Sequence, residues 1–286
     1  AKEREFVYLF RGRMDERYDT VRAIRTKKHL YVHNFSPHRP VGQAYTYPFR
    51  VLASMGSWYE AFKAGKCNAV QARYWKRKQS EELYEIAKDP FQIRNLAGEK
   101  EHRDLLSTLR TKLGNEMLRM RDTGLIPEGM YSRFSGSGTI HQFAQSKDYP
   151  ANEVLAAAIN AAGGDVGEGF SFLMRGARHE SPLVRYWAAT GALVLGKAAA
   201  PLKGELVRLL KDPVFDVRVV AAEALGHLGE GSKSLPALVE VVTEGNVYES
   251  LAAANALESL GRDGAVQMDR IKAIMPKKVR AEGARV

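Results

Sequence analysis

The sequence predicts an α+β fold: a small antiparallel sheet covered by a C-terminal helix, followed by an all-α helical solenoid. Three observations carry this. Short runs of aromatic and β-branched residues occur before residue 90, as strands require. A leucine and methionine stripe from Leu105 to Met120 has helical spacing. Beyond residue 150, a similar segment returns at offsets of 33 and 32 residues, the mark of a repeat architecture.

The elements follow in order. Phe6–Phe10 suits a strand. Two β-like runs, from Tyr18 to Arg25 and from His29 to Phe35, flank a polar Thr26-Lys27-Lys28 and predict a hairpin. Between the first strand and the hairpin lies a knot of charge, Arg11-Gly12-Arg13-Met14-Asp15-Glu16-Arg17. Three prolines predict a long loop over Ser36–Phe49. The following stretch is expected to be helical in parts, with Trp58, Tyr59, Phe62, Tyr74 and Trp75 packing inward. Arg73, Lys76, Arg77 and Lys78 surround Trp75, either as an anion-binding patch or as a solvated helix end. Glu82–Ile86 is a further strand, and Asp89-Pro90 marks a turn. The helix after it carries acids at its start and Arg119 and Arg121 at its end, as the macrodipole favours. Gly124 is placed to cap it. The stripe Leu105, Leu106, Leu109, Leu113, Met117 and Met120 is core. Residues 1–130 form the first domain and the Gly/Ser-rich residues 131–150 a linker.

The repeats read Val184-Arg185…Ala188-Ala189…Leu195-Gly196, then Val217-Arg218…Ala221-Ala222…Leu228-Gly229, then Glu249…Ala253-Ala254…Leu260-Gly261. A degenerate earlier copy ends at Gly163. Alanine pairs let helices approach closely, Leu-Gly closes the first helix of each pair, and Pro182 and Pro213 suit early helical positions. Arg185 and Arg218 are expected to brace neighbouring repeats. These motifs resemble HEAT-like repeats of the short bacterial kind over residues 151–276, with a basic tail at 277–286. Each helix pair has an apolar face that only its neighbours bury.

Of 286 residues, 45% are hydrophobic, enough for sizeable cores. The formal charge of +10 lies wholly in the first half: residues 1–150 hold 27 Lys and Arg against 17 Asp and Glu, and residues 151–286 hold 16 of each. A basic half beside a neutral half favours an anionic ligand for the former. The neutral solenoid argues against nucleic acid, and the lack of a long apolar run argues against a membrane span. The single cysteine, Cys67, excludes an internal disulfide framework and reads as structural. The chain opens without Met and enters a strand by Phe6, which predicts an internal portion of a longer product.

No complete catalytic constellation is legible. The glycines of Phe134–Ile140 lack a following lysine, so no phosphate loop is formed. Ala161–Phe170 is Gly-rich but falls within a repeat and reads as a turn. His33 and His38 lack a third metal ligand, and no serine has a nucleophile-elbow context.

Three stretches carry a further resemblance: Arg11–Pro40, Ala72–Leu106 and Leu118–Gly129. The pattern Glu82-Leu83-Tyr84, Asp89-Pro90, Asn95-Leu96 resembles the ending of sulfatases, in particular the heparan N-sulfatase-like branch. The resemblance covers roughly residues 5–130. It implies a full-length parent that hydrolyses sulfate esters or N-sulfates, with glycan substrates, and periplasmic or secreted localisation. In the family, a formylglycine made within a C/S-x-P-S/A-R motif and a calcium ion do the chemistry in an N-terminal domain. Cys67 is followed by Asn-Ala-Val, so this chain is expected to be inactive alone and to partner that domain.

The resemblance implies substrate contacts at Arg11, Arg13, Asp15 and Glu16, with His38 and Arg39 as weaker candidates. Arginines grip sulfate or carboxylate bidentately; the acids accept from hydroxyls or an amine. Alternatively the knot is an ion-pair network pinning its turn to the catalytic domain. Either way, it is expected to meet its partners outside this chain. A different class remains open: a stand-alone HEAT-repeat protein-interaction module with a basic anion-binding domain, the solenoid docking a protein partner.

Overall fold

Aromatic and β-branched runs become four strands, β1 (Val7–Arg11), β2 (Val21–Arg25), β3 (His29–Asn34) and β4 (Glu81–Glu85). The computed structural model describes residues 4–43, 45–163 and 168–265. The strands form one antiparallel sheet in the order β1-β2-β3-β4. Thr26 N–H donates to the His29 carbonyl at 2.9 Å and closes the hairpin. Ile24, Tyr31 and Leu83 lie opposite one another across three strands and are fully buried. Their neighbours Ala23, Leu30 and Tyr84 are buried too, in a second cluster. Successive residues point to opposite faces, so both faces of the sheet centre are covered.

The predicted helix is α4 (Arg103–Met120), packed on β2 and β3. Its stripe buries Leu106, Leu109, Leu113 and Met117. Truncating one such leucine costs about 2–5 kcal/mol. Gly124 does not cap this helix. Arg121 takes the left-handed conformation at φ 55°, and its amide donates to the Leu118 carbonyl at 3.1 Å. Gly124 is needed elsewhere, because a Cβ there would collide with the Arg22 guanidinium.

The residues Glu82 to Leu96 brace the edge of this sheet. The Asn95 side chain accepts the Leu83 amide at 2.9 Å and donates to the Glu81 carbonyl at 3.0 Å. It thereby satisfies backbone groups on the free edge of β4, which a strand edge otherwise leaves open. Asp89 accepts the Ile93 and Arg94 amides at 3.0 and 2.9 Å, and Tyr84 donates to Glu82 at 2.6 Å.

Between β3 and β4 lie α1 (Thr46–Val51), α2 (Ala53–Lys63) and α3 (Ala69–Arg73). The expected loop over Ser36–Phe49 therefore ends inside a helix, which Pro48 permits because it sits in the first turn. The aromatics do gather: Trp75 is buried, Trp58 stacks on Tyr74 at 4.6 Å, and Tyr59 lies 4.9 Å from Trp75. The basic patch does not hold together. The Lys78 ammonium turns inward to Asp19, 2.6 Å from each carboxylate oxygen, and Arg73 donates to the Ile93 carbonyl at 3.0 Å.

A first compact unit ends at Gly124 and a second begins at Leu125. The stretch 131–150, expected to be a linker, folds into α5 (Tyr131–Ser135) and α6 (Ile140–Gln145). Thr139 and Gln142 form a capping box, Phe134 stacks on Phe143 at 4.8 Å, and Ala144 and Tyr149 are buried. Spaced aromatics outweigh the glycines there.

The repeats then run as α7 (Ala151–Gly163), α8 (Glu168–Gly176), α9 (Pro182–Leu195), α10 (Lys203–Leu209), α11 (Phe215–His227), α12 (Gly231–Glu244), α13 (Val247–Ser259) and α14 (Arg262–Ala265). Helices α7, α9 and α11 pack in succession, and α13 packs on α11. Ala188, Ala189, Ala221, Ala222 and Ala253 are buried, as close approach requires. Gly196, Gly229 and Gly261 all take positive φ, at 59°, 85° and 61°, a backbone region that glycine adopts most readily, so the Leu-Gly signal marks where these helices close. Pro182 opens α9 as expected, whereas Pro213 lies ahead of the α11 cap, Val214. The tail at 277–286 and the end of the last repeat, 266–276, lie outside the described residues.

Candidate functional site

The charged knot forms a tight turn. Met14 and Arg17 exchange backbone hydrogen bonds of 2.8 and 2.9 Å, leaving Asp15 and Glu16 at the tip. Asp15 has φ 46°, a region that Asp tolerates better than most side chains. Arg13 Nη1 donates back to the Asp15 carbonyl at 2.6 Å.

Two knot residues are tied down within the chain. Arg11 Nη2 donates to the Tyr45 hydroxyl, and its guanidinium lies 3.9 Å from Asp19. Glu16 accepts the Thr46 amide and, at 2.5 Å, the Thr46 hydroxyl. Thr46 opens α1, so Glu16 places a negative charge at a helix N-terminus, where the dipole favours it. Burial pushes the Glu16 carboxyl up, but the Thr46 bonds prevail and hold it below the usual range. Arg11 and Glu16 thus have partners within this chain, beside those that the resemblance implies outside it. A short turn beside a helix start satisfies its charges locally.

Between the turn and α1 lies an open cleft of about 390 Å³, lined by Asp15, Glu16, Thr46, Tyr47, Arg50 and Val51. Of the six predicted residues, Asp15 and Glu16 line it. Arg13 belongs to the same turn. Arg11 is turned back toward Tyr45 and Asp19. His38 and Arg39 sit in the loop after β3, where Arg39 N–H donates to the Ser36 carbonyl at 3.1 Å, and they do not line the cleft. Two carboxylates face one guanidinium, Arg50, so the cleft suits hydroxyl or ammonium groups and is no preformed anion clamp. The α1 wall, Thr46 to Val51, went unread because the prolines of Ser36–Phe49 signalled a loop; Pro48, which a first helical turn tolerates, was the available signal.

Behind the turn lies a buried network that no local pattern announces. Arg22, 4% exposed, donates to Asp122 at 2.5 and 3.0 Å, and Tyr8 donates to the same carboxylate at 2.5 Å. Burial pushes the Asp122 carboxyl up, yet Arg22 outweighs it and the net shift is downward. The Tyr8 hydroxyl is pushed well up by burial and by Asp122. At the other edge, Glu81 gathers Arg110 at 2.6 and 2.7 Å and Tyr31 at 2.5 Å. Burial opposes ionisation of Glu81, but His33, Arg110 and Tyr31 hold it far below the usual range. Both networks fix strands to α4 and the residues after it.

The residues present do not fit the family's catalytic groups. Cys67 precedes Asn68-Ala69-Val70, not the formylglycine motif. Among the described residues, three metal-capable side chains converge at Glu99, Glu101 and His102 on the surface before α4, without the Asp and Asn set that calcium has in the family. No step through either group is derived for this chain.

The helical unit is of the HEAT class: the family model for HEAT repeats matches residues 170–261. The chain is also similar to an ulvan-active sulfatase of Formosa agariphila, with 27% identity over 172 residues. That match covers 58% of this chain and 28% of the relative, so the chain spans well under a third of the relative's length. The chain therefore joins a sulfatase-like part to HEAT-like repeats.

Proposed function

We propose that this chain is the C-terminal region of a sulfatase whose full-length parent hydrolyses sulfate esters or N-sulfates on an anionic glycan. The observation that carries the reading is the similarity to a sulfatase named for its action on ulvan. The N-terminal part would supply the formylglycine and the calcium ion, and this chain alone would be inactive. Export to the periplasm or outside the cell follows from the same reading; among the described residues no helix is long and apolar enough to cross a membrane. The role of this chain's residues is positioning. Asp15 accepts from a sugar hydroxyl or amine at the cleft mouth, Glu16 holds the turn on α1, and Arg13 and Arg50 supply positive charge at the rim.

The test is sulfate release from a sulfated oligosaccharide by the full-length product and by residues 1–286 alone. Release by the former and none by the latter is expected. In the full-length enzyme Arg13→Ala should raise KM several-fold with kcat retained. Unchanged kinetics with lower thermal stability would assign Arg13 to bracing. A full-length product that lacks a C/S-x-P-S/A-R motif and releases no sulfate would leave the second reading, an interaction module, which the HEAT match over residues 170–261 favours.

A further inference from the structure

The helical half is neutral in sum, yet its charge is unevenly placed. An open groove of about 730 Å³ lies along α10, within the ~300–1,000 Å³ range of ligand sites. Gly204, Arg208 and Lys211 fall at i, i+4 and i+7, one face of a helix and its extension. Arg178, after α8, completes the cationic lining; Arg185, on α9, also lines the groove, but its guanidinium is spent on Asp212 and on the His179 and Glu180 carbonyls.

Two carboxylates accompany these four cations, and both are already engaged. Glu205 accepts Arg178 Nε at 2.9 Å and Arg208 Nε at 3.0 Å. Asp212 accepts Arg185 at 2.6 and 3.0 Å and the Val214 amide at 3.0 Å. Glu205 and Asp212 are buried, while the Arg178 and Arg208 side chains are 70% and 47% exposed. The acids thus sit beneath and hold the guanidiniums in place. Arg178 spends Nε and Nη2 on Glu205, which leaves its Nη1 hydrogens without a partner among the described residues. Lys211 is exposed. Above Gly204 a Cβ would meet nothing within 4 Å, so the groove floor is open at its middle.

We infer that this groove is a binding site for a sulfated polysaccharide chain, separate from the cleft at the charged turn. Oriented guanidiniums suit the oxygens of a sulfate, and an open groove of this volume admits a segment of a polymer. Such a site would hold a polyanionic chain while another of its sulfates is presented for hydrolysis. The choice of sulfate over carboxylate rests on the sulfatase reading; the groove's affinity for anions does not.

The test is direct binding by the 286-residue chain, measured by calorimetry with a short dextran sulfate, with unsulfated dextran and poly-glutamate as comparisons. Binding to dextran sulfate, weakening as salt is raised, is expected, with none to dextran. Arg178→Ala with Lys211→Ala should weaken binding at least tenfold. Gly204→Leu keeps every charge and fills the floor; it should weaken binding similarly while the thermal midpoint holds. Groove variants that bind like the parent overturn the proposal. Tighter binding to poly-glutamate than to dextran sulfate overturns it in favour of an acidic peptide. Groove binding without sulfate release by the full-length enzyme would sink the sulfatase reading alone.

Discussion

In the sheet unit, buried ion pairs join residues far apart along the chain; in the helical unit, pairs of mixed exposure join elements nearby in sequence, three of them at one interval. Arg22 meets Asp122 across 100 residues and Lys78 meets Asp19 across 59. Arg178–Glu205, Arg185–Asp212 and Lys203–Glu230 are each 27 residues apart. The first pattern ties one cooperative body together. The second is a nearest-neighbour brace repeated down a stack, so stability there is close to a sum over repeats and their interfaces.

The largest effect should come from the long-range kind. Arg22→Ala strands the Asp122 carboxylate beside Tyr8 and should cost about 3–5 kcal/mol, read by urea denaturation, with β1 and α4 losing amide protection together. Protection lost in β1 alone would break the contrast. The next test concerns a buried acid that has no cation on it among the described residues. Asp216 is 5% exposed and its Oδ2 lacks a hydrogen bond. Burial, and then the Glu249 carboxylate, push its carboxyl up to about 7. The folded unit therefore binds a proton between about pH 4 and 7 that the unfolded chain has released. Stability should fall as pH rises through that window, by up to about 4 kcal/mol at roughly 1.4 kcal/mol per unit. Asp216→Asn should flatten the slope, measured as thermal midpoint against pH; a slope unchanged by the substitution would refute this role. Smaller again, Arg185→Ala should cost about 2–3 kcal/mol, because Asp212 keeps the Val214 amide. Its loosening should be confined to α9, α10 and α11 in hydrogen exchange. Loss of protection as far as α13 would show that the repeats are not independent.

The same contrast explains what was legible beforehand. Arg185 was expected to brace the next repeat and does so through Asp212, whereas Arg218, read the same way, donates to Glu240 on α12 and to the Asp212 carbonyl and so stays with its own helix pair. Gly196, Gly229 and Gly261 were readable as helix closures because the requirement for positive φ is local. The charged turn was visible as a cluster. What held Arg11 and Glu16 was not, because Tyr45 and Thr46 follow 34 and 30 residues later, beyond any periodic signal. Gly124 was read as a cap on local grounds, whereas its smallness serves Arg22, about a hundred residues earlier. Residues 131–150 were misread because composition hid the contact between Phe134 and Phe143.

By itself, then, the sequence determined the four strands, the α4 stripe, the repeat unit and its closures, because each is set by side-chain period or backbone torsion within a few residues. Tertiary structure alone decided which charges face the cleft, which guanidiniums are buried, and where the solenoid's neutral charge separates into a cationic groove. Those outcomes follow from desolvation and from partners brought together only when the chain folds.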